Sequence, residues 1–298
     1  MTFRDSDFIF SERPQKTIKK AVSFSGIGIH SGKSVTLTLS PAKPNTGILF
    51  QRSDIPESPL IPAHVDSVVD TQRCTVIGKQ GSFIGTIEHL CAALKAYEID
   101  NVFVQVSDQE LPIGDGSSQV FVDLLDEAGI EVQEVMTPIF KLNRPVHWAD
   151  GDTYIMALPY EGLRFSYSLH YPNSEVLQNQ FHSHLLSVEG FKNEIAPCRT
   201  FACYEEVQPL MDLGLIKGGS LENTVVIKDG SVLNKGGVRF DNEMARHKLL
   251  DMVGDLSLAG IHINAHILGH RTGHYANIQF AKELCKVLNT EELQCQPT

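Results

Sequence analysis

The sequence predicts two α+β domains of similar plan, and three observations carry that expectation. Strand-like alternation followed by helix-like periodicity occurs twice along the chain, residues 132–138 read as a linker between the two occurrences, and 298 residues suffice for two ordinary cores. The expected domains span 1–131 and 138–298, although length alone also allows one large domain.

Taken in order, residues 15–26 alternate in part and residues 35–39 cleanly with period two, so both read as strands. Between them, Gly26-Ile27-Gly28-Ile29-His30-Ser31-Gly32 lacks the following helix that a dinucleotide loop requires and reads as a glycine-rich hairpin connection. Residues 48–50, 74–77 and 81–84 read as strands. Residues 86–97 are helix-forming, with Leu90, Ala93, Leu94 and Tyr97 on one face. Strand returns over 101–106, a turn over 112–117 and a second helix over 120–125. The second half repeats the plan: strands over 140–148, 154–158 and 164–170, and a mixed region from 191 with a strand near 225–227. A long helix over 241–258, an alternating strand over 261–267 and a closing helix over 276–288 follow.

Composition, 42% hydrophobic and 20% charged, is that of a soluble globular protein, and no apolar run approaches the ~18 residues of a membrane span. The net charge of −11 argues against a general nucleic-acid binder but allows a local basic pocket for a phosphorylated ligand. Residues 1–8 lack the basic start, apolar centre and cleavage site of a secretory signal, so the expected location is cytoplasmic. Six cysteines, Cys74, Cys91, Cys198, Cys203, Cys285 and Cys295, include no Cys-x-x-Cys pair, which points to reduced thiols rather than a disulfide framework or thiolate cluster.

The run 246–255, Arg-His-Lys-Leu-Leu-Asp-Met-Val-Gly-Asp, holds the most chemistry. At ~100° per residue, positions i, i+4 and i+8 share one stripe of a helix, so His247, Asp251 and Asp255 align. The neighbouring Leu249, Leu250, Met252, Val253 and Leu256 are apolar, so the polar stripe is expected to be enclosed, and enclosing it calls for a compensating charge such as a divalent metal. A lone His-x-x-x-Asp is more often a solvated pair. Lys248 points off this stripe, either snorkelling to the surface or donating to developing negative charge.

Glu88 and His89 open the first-half helix and diverge by ~100°, which suits different roles: His89 as a metal ligand, Glu88 as a base reaching a metal-bound water. With His247 and Asp251, His89 completes a two-imidazole, one-carboxylate set that leaves a fourth position open, the make-up of a catalytic zinc site. His262, His266, His270 and His274 also recur every four residues, but the first two fall on a strand and Gly269 and Gly273 put the others in a loop, so this set ranks lower. That loop, Arg271-Thr272-Gly273-His274, offers a cation for phosphate and an imidazole for proton transfer. No Gly-x-Ser-x-Gly elbow or Walker loop is present.

In these residues the chain resembles the zinc-dependent UDP-3-O-acyl-N-acetylglucosamine deacetylases of lipid A synthesis. The resemblance covers nearly the whole chain and rests on segments 25–33, 86–90, 115–117, 199–201, 218–220, 239–240, 247–255 and 272–274, all in the family's order. It implies two domains of related fold, each a β-sheet with a helical layer, helices packed between the sheets as a β-α-α-β sandwich, with a β-α-β insert in the second domain.

The resemblance also implies a Zn2+ cofactor held by His89, His247 and Asp251, with Glu88 as general base, His274 as general acid and Asp255 oriented towards it. Thr200 and Lys248 match groups that contact the carbonyl oxygen or substrate, Phe201 belongs to the same substrate-binding segment, and Arg271 stands where the family often has a lysine near the diphosphate. The insert near 197–226 matches the family's apolar passage for an acyl chain, with Val207, Ile216, Ser220, Thr224 and Val226 at lining positions. The implied substrate is an acylated UDP-amino sugar, with transient membrane proximity through its acyl chain and no obligate protein partner. A metal-dependent deacetylase of another acylated amino sugar or nucleotide sugar, and a non-catalytic two-domain binding protein, are the rival expectations.

Overall fold

A computed structural model describes residues 11–172, 174–214 and 216–292. The outer ends of both expected domains, Cys295 and Leu215 of the insert lie outside the described residues. The hairpin of Val22–Ile27 and Ser34–Pro41 begins one sheet, completed by Val102–Val106, Ile48–Arg52 and Ile61–Pro62 in that spatial order. The period-two pattern of Ser34–Pro41 buries Val35, Leu37 and Leu39 on one face, against the helices Glu88–Ala96 and Gln119–Ala128.

The other sheet runs Ser11–Ile18, Ile130–Lys141, His262–His270, Thr153–Pro159, Val146–Asp150. Leu163–Leu169 pairs with the later part of His262–His270, and Gln180–Leu185 flanks it. Its central strand His262–His270 alternates strictly between buried and half-buried residues. The helices Glu243–Ser257 and His274–Glu292 cover this sheet, and Glu243–Ser257 packs directly on Glu88–Ala96. Sheet, helix, helix, sheet is the resulting order, and one hydrophobic cluster runs through all layers. Glu88–Ala96 buries every residue but Lys95, as a helix enclosed on all sides must.

Close approach of those two helices depends on Gly254, where an added Cβ would fall 2.0 Å from the carbonyl oxygen of Glu88. A second tight point joins the insert to the first half: Gly116, at φ +85°, would place a Cβ 1.9 Å from the carbonyl oxygen of Asn223. The insert itself is a β-α-β unit, with Phe201–Cys203 and Val225–Lys228 parallel, Tyr204–Asp212 between them and Ser231–Val232 at the edge.

Several sequence expectations need correction. Residues 132–138 are not a linker but lie within the strand Ile130–Lys141, hydrogen-bonded to Ser11–Ile18 on one edge and to His262–His270 on the other. Its Val132 and Met136 are exposed, so the backbone ladder rather than an apolar face holds it, and its polar alternation hid it. The stretch 15–26 divides at exposed Lys19 and Lys20 into strands of two different sheets, which ties Ser11–Ile18 to the second sheet. Residues 140–148 likewise divide, around Pro145. Gln180–Leu185 is a further strand beyond those the sequence predicts, and His270 and His274 lie not in a loop but at the end of a strand and the start of a helix. Cys74, Cys91, Cys198, Cys203 and Cys285 are free thiols. Among the described residues no helix is long and apolar enough to cross a membrane.

Candidate metal centre and active site

The packed pair of helices brings His89, near the start of one, against His247 and Asp251, one turn apart on the other. All three are buried. Asp251 Oδ1 lies 3.4 Å from His247 Nε2 and 3.7 Å from His89 Nε2, and the two imidazole rings meet edge-on at 5.0 Å. Ligand atoms of a tetrahedral ion held at about 2.0–2.2 Å stand roughly 3.3–3.6 Å apart, so this spacing suits one zinc-sized ion. The carboxylate divides its work: Oδ2 accepts from Lys248 Nζ at 2.8 Å, while Oδ1 is buried with no hydrogen-bond partner. An orphaned buried carboxylate oxygen between two imidazoles is a donor set that could hold a cation.

The electrostatics agree. Burial, reinforced by neighbouring His247, holds the His89 imidazole down at about 3, and burial lowers His247 as well, so both rings are neutral with lone pairs free. His247 Nδ1 donates to the Cys198 carbonyl at 3.1 Å, which leaves Nε2 unprotonated and facing Asp251. Burial alone would raise Asp251, but Lys248 and then the neighbouring histidines, cationic His274 among them, outweigh it and hold the carboxyl far below the usual range. Lys248 thus neither snorkels nor points away from the stripe, because an i,i+3 bond to Asp251 turns it inward.

Glu88 and His274 flank the cluster, and with Asp251 their donor atoms lie within 4.8 Å of one another. Glu88 Oε2 accepts the Thr75 backbone N–H at 3.0 Å, and burial pushes its carboxyl up to about 7. Asp255, fully buried, has no access to the ion position: Oδ1 accepts from Thr75 Oγ1 at 2.6 Å, and Oδ2 from His274 Nδ1 and Asn277 Nδ2, both at 2.9 Å. Burial opposes the His274 charge, but Asp255 and then Glu88 outweigh it and raise the imidazole to about 9. The ring is therefore a cation at neutral pH, oriented by Asp255 and turned towards Glu88.

A cavity of about 320 Å³ opens above these groups. Its wall includes Thr200, Phe201, Val207, Ile216, Thr224 and Lys248, so most expected substrate positions converge there. Ser220, Val226 and Arg271 are not on that wall: Ser220 is exposed, Val226 sits in a strand paired with Ala202, and Arg271 lies 3.4 Å from Asp152. Thr200 and Phe201 are held over the cavity because Arg199 is anchored to buried Glu243, which accepts from its Nε at 2.9 Å, its Nη2 at 3.1 Å and its backbone N–H at 3.0 Å. Thr200 also donates its N–H to Gly116 and accepts from Val225, which links insert and first half.

The four-spaced histidines are dispersed: His262 faces Asp100, His266 bonds Ser166 and His270 stacks on Tyr154 at 4.9 Å, leaving His274 alone at the site. Sequence reasoning missed Thr75, Asn277 and the Cys198 carbonyl. Asn277 stands three residues after His274 on one helix face, a signal that was readable; nothing local marks Thr75 or a backbone carbonyl.

The sandwich and this buried cluster define a class: an α+β protein with a candidate metal site flanked by a buried carboxyl and a cationic imidazole. The chain belongs to the LpxC family, UDP-3-O-acyl N-acetylglycosamine deacetylase, which it matches over residues 15–286. It is 50% identical over 277 residues, 93% of this chain and 99% of the relative, to the UDP-3-O-acyl-N-acetylglucosamine deacetylase of Chlamydia caviae. It is 48% identical to that of Chlamydia pneumoniae over 93% and 99% of the two chains, and 44% identical to that of Chlamydia trachomatis serovar L2 over 94% and 98%.

Proposed function

We propose that the protein hydrolyses the N-acetyl group of UDP-3-O-(3-hydroxyacyl)-N-acetylglucosamine to acetate and the free amino sugar, a committed step of lipid A biosynthesis. The observation that carries the reading is the orphaned Asp251 Oδ1 between two neutral imidazoles, flanked by a carboxyl near neutrality and a cationic imidazole. In this reading His89, His247 and Asp251 hold zinc, which when bound polarises the acetamide carbonyl and acidifies water.

Glu88, fixed by the Thr75 N–H and with a carboxyl pushed up to about 7, takes the proton of the attacking water. Lys248 and Thr200, both on the cavity wall, donate hydrogen bonds to the oxyanion as the carbonyl becomes tetrahedral. His274, kept protonated and oriented by Asp255, gives its proton to the leaving amine. Phe201, Val207, Ile216 and Thr224 give the acyl chain an apolar course along the insert; we assign Ser220 and Val226 to its outer end and Arg271 to the diphosphate. The working location in this reading is the cytoplasm.

Acetate release from the acylated UDP-sugar, compared with the non-acylated one, tests the assignment. A strong preference for the acylated substrate is expected; equal rates would count against the acyl passage and favour another amino-sugar substrate.

A further inference from the structure

A second group of metal-type donors stands outside the site described above. On the strand Gln180–Leu185, His182 and His184 are two residues apart and so project from the same face, with rings 6.0 Å apart and nearly parallel at 22°. The turn after this strand, through Val188–Gly190 and Phe191–Ile195, returns Glu194 to them. Glu194 Oε2 lies 3.9 Å from His182 Nε2 and 4.0 Å from His184 Nδ1, and the three donor atoms fall within 4.8 Å of one another.

Two features distinguish this group from an ordinary ion pair. An imidazole paired with a carboxylate closes to a hydrogen bond of about 3.2 Å or less, yet both rings here stop well short of Glu194. Moreover, His182 Nε2, the atom that faces Glu194, is buried without a hydrogen-bond partner, and the His184 side chain is 6% exposed. His184 is walled on its far side by Gly190, where a Cβ would come within 2.9 Å of Nε2, so its Nδ1 is the atom left facing the carboxylate. Ligands of a tetrahedral zinc-class ion sit roughly 3.3–3.6 Å apart, so the Glu194 oxygen needs to close on each ring by only about half an ångström, with all three donors already within 4.8 Å of one another. Glu194, half exposed, leaves an entry route and a coordination position for water.

We propose that His182, His184 and Glu194 form a second binding site for a zinc-class divalent ion, separate from the His89, His247 and Asp251 cluster. The site joins an edge strand to the turn that precedes Arg199 and Thr200. It also touches the catalytic helix, because Arg246, one residue before His247, holds the same Glu194 oxygen at 3.3 Å. An ion there takes over part of the carboxylate that Arg246 engages.

The test is Zn2+ titration of the full-length protein already loaded with one equivalent, followed by calorimetry and elemental analysis. Wild type is expected to take up one additional equivalent. His184→Ala and Glu194→Gln should each lose it while keeping the first equivalent and wild-type turnover; Glu194→Gln alters an exposed side chain and serves if His184→Ala fails to fold. Glu88→Gln should retain it, which separates this site from the Glu88, Asp251 and His274 group. His89→Ala should lose the first equivalent and keep this one, so failure here is distinguishable from failure of the catalytic assignment. No additional equivalent in wild type, one that survives both His184→Ala and Glu194→Gln, or one that vanishes in Glu88→Gln would overturn the proposal.

Discussion

Gly254→Ala offers a test in which two physical effects have opposite sign. In a helix interior, glycine to alanine should stabilise by roughly 0.5–1 kcal/mol through backbone entropy. Here the new Cβ would lie 2.0 Å from the Glu88 carbonyl oxygen and 2.8 Å from its carbon, whereas ordinary contact begins near 3.4 Å. The obstacle is helix backbone, which cannot rotate away as a side chain can, so the two helices must part by more than an ångström. Overpacking a core typically costs about 1–3 kcal/mol. Taking the upper figure against rigid backbone leaves a net loss of roughly 2 kcal/mol once the propensity gain is subtracted. Because the displaced group is the backbone of Glu88, and ångström-scale misplacement in an active site costs about 100-fold, turnover should fall by that order. Urea denaturation and acetate release measure the two effects. A variant as stable as wild type, or more so, with undiminished turnover would refute the claim that this contact sets the distance between the two halves of the site.

Glu88→Gln should keep its metal and lose turnover by roughly 10²–10⁴-fold, as expected for removal of a general base; elemental analysis beside a rate assay checks both. His89→Ala should fail to retain metal at all, which dialysis followed by elemental analysis reports. Chelation should abolish acetate release and added zinc should restore it; activity that persists in fully metal-free protein contradicts the site. Glu243→Gln should destabilise by about 3–5 kcal/mol because it leaves Arg199 charged and nearly buried. Burial opposes the Glu243 charge, yet Arg199 and two backbone N–H groups hold its carboxyl below its ordinary 4.5. A depressed carboxylate contributes above its unfolded value and loses that contribution as pH falls through the folded one. The stability gap between wild type and Glu243→Gln should therefore be full at neutral pH and narrow in acid, as denaturation at several pH values would show.

Much of the fold was readable where burial and local period agree. The clean alternation of 35–39 and 261–267 and the apolar periodicity of 86–97 and 241–258 all became the expected elements, with ends shifted by a few residues. The misread segments are those whose stability comes from partners far along the chain. Residues 130–141 bury little apolar surface and are strand because the ladder to Ser11–Ile18, joined at 139–141 by one to residues 262–264, satisfies their backbone. Lys19 and Lys20 mark no visible break in the pattern of 15–26, yet the chain changes sheets there.

At the site, side-chain chemistry and the 3.6-residue period were enough to put His247, Asp251 and Asp255 on one stripe and to name a two-imidazole, one-carboxylate set. They could not divide the stripe. Asp251 faces the imidazoles while Asp255 is taken by Thr75, His274 and Asn277, a distinction made by groups 19 to 180 residues away in sequence. Lys248 was ambiguous for the same reason until burial left Asp251 as its partner. The meeting of His89 with His247 is also a matter of tertiary structure. Periodicity orients side chains only within a single helix; the distance between helices is set by burying their apolar faces on one another, and here by the missing side chain of Gly254.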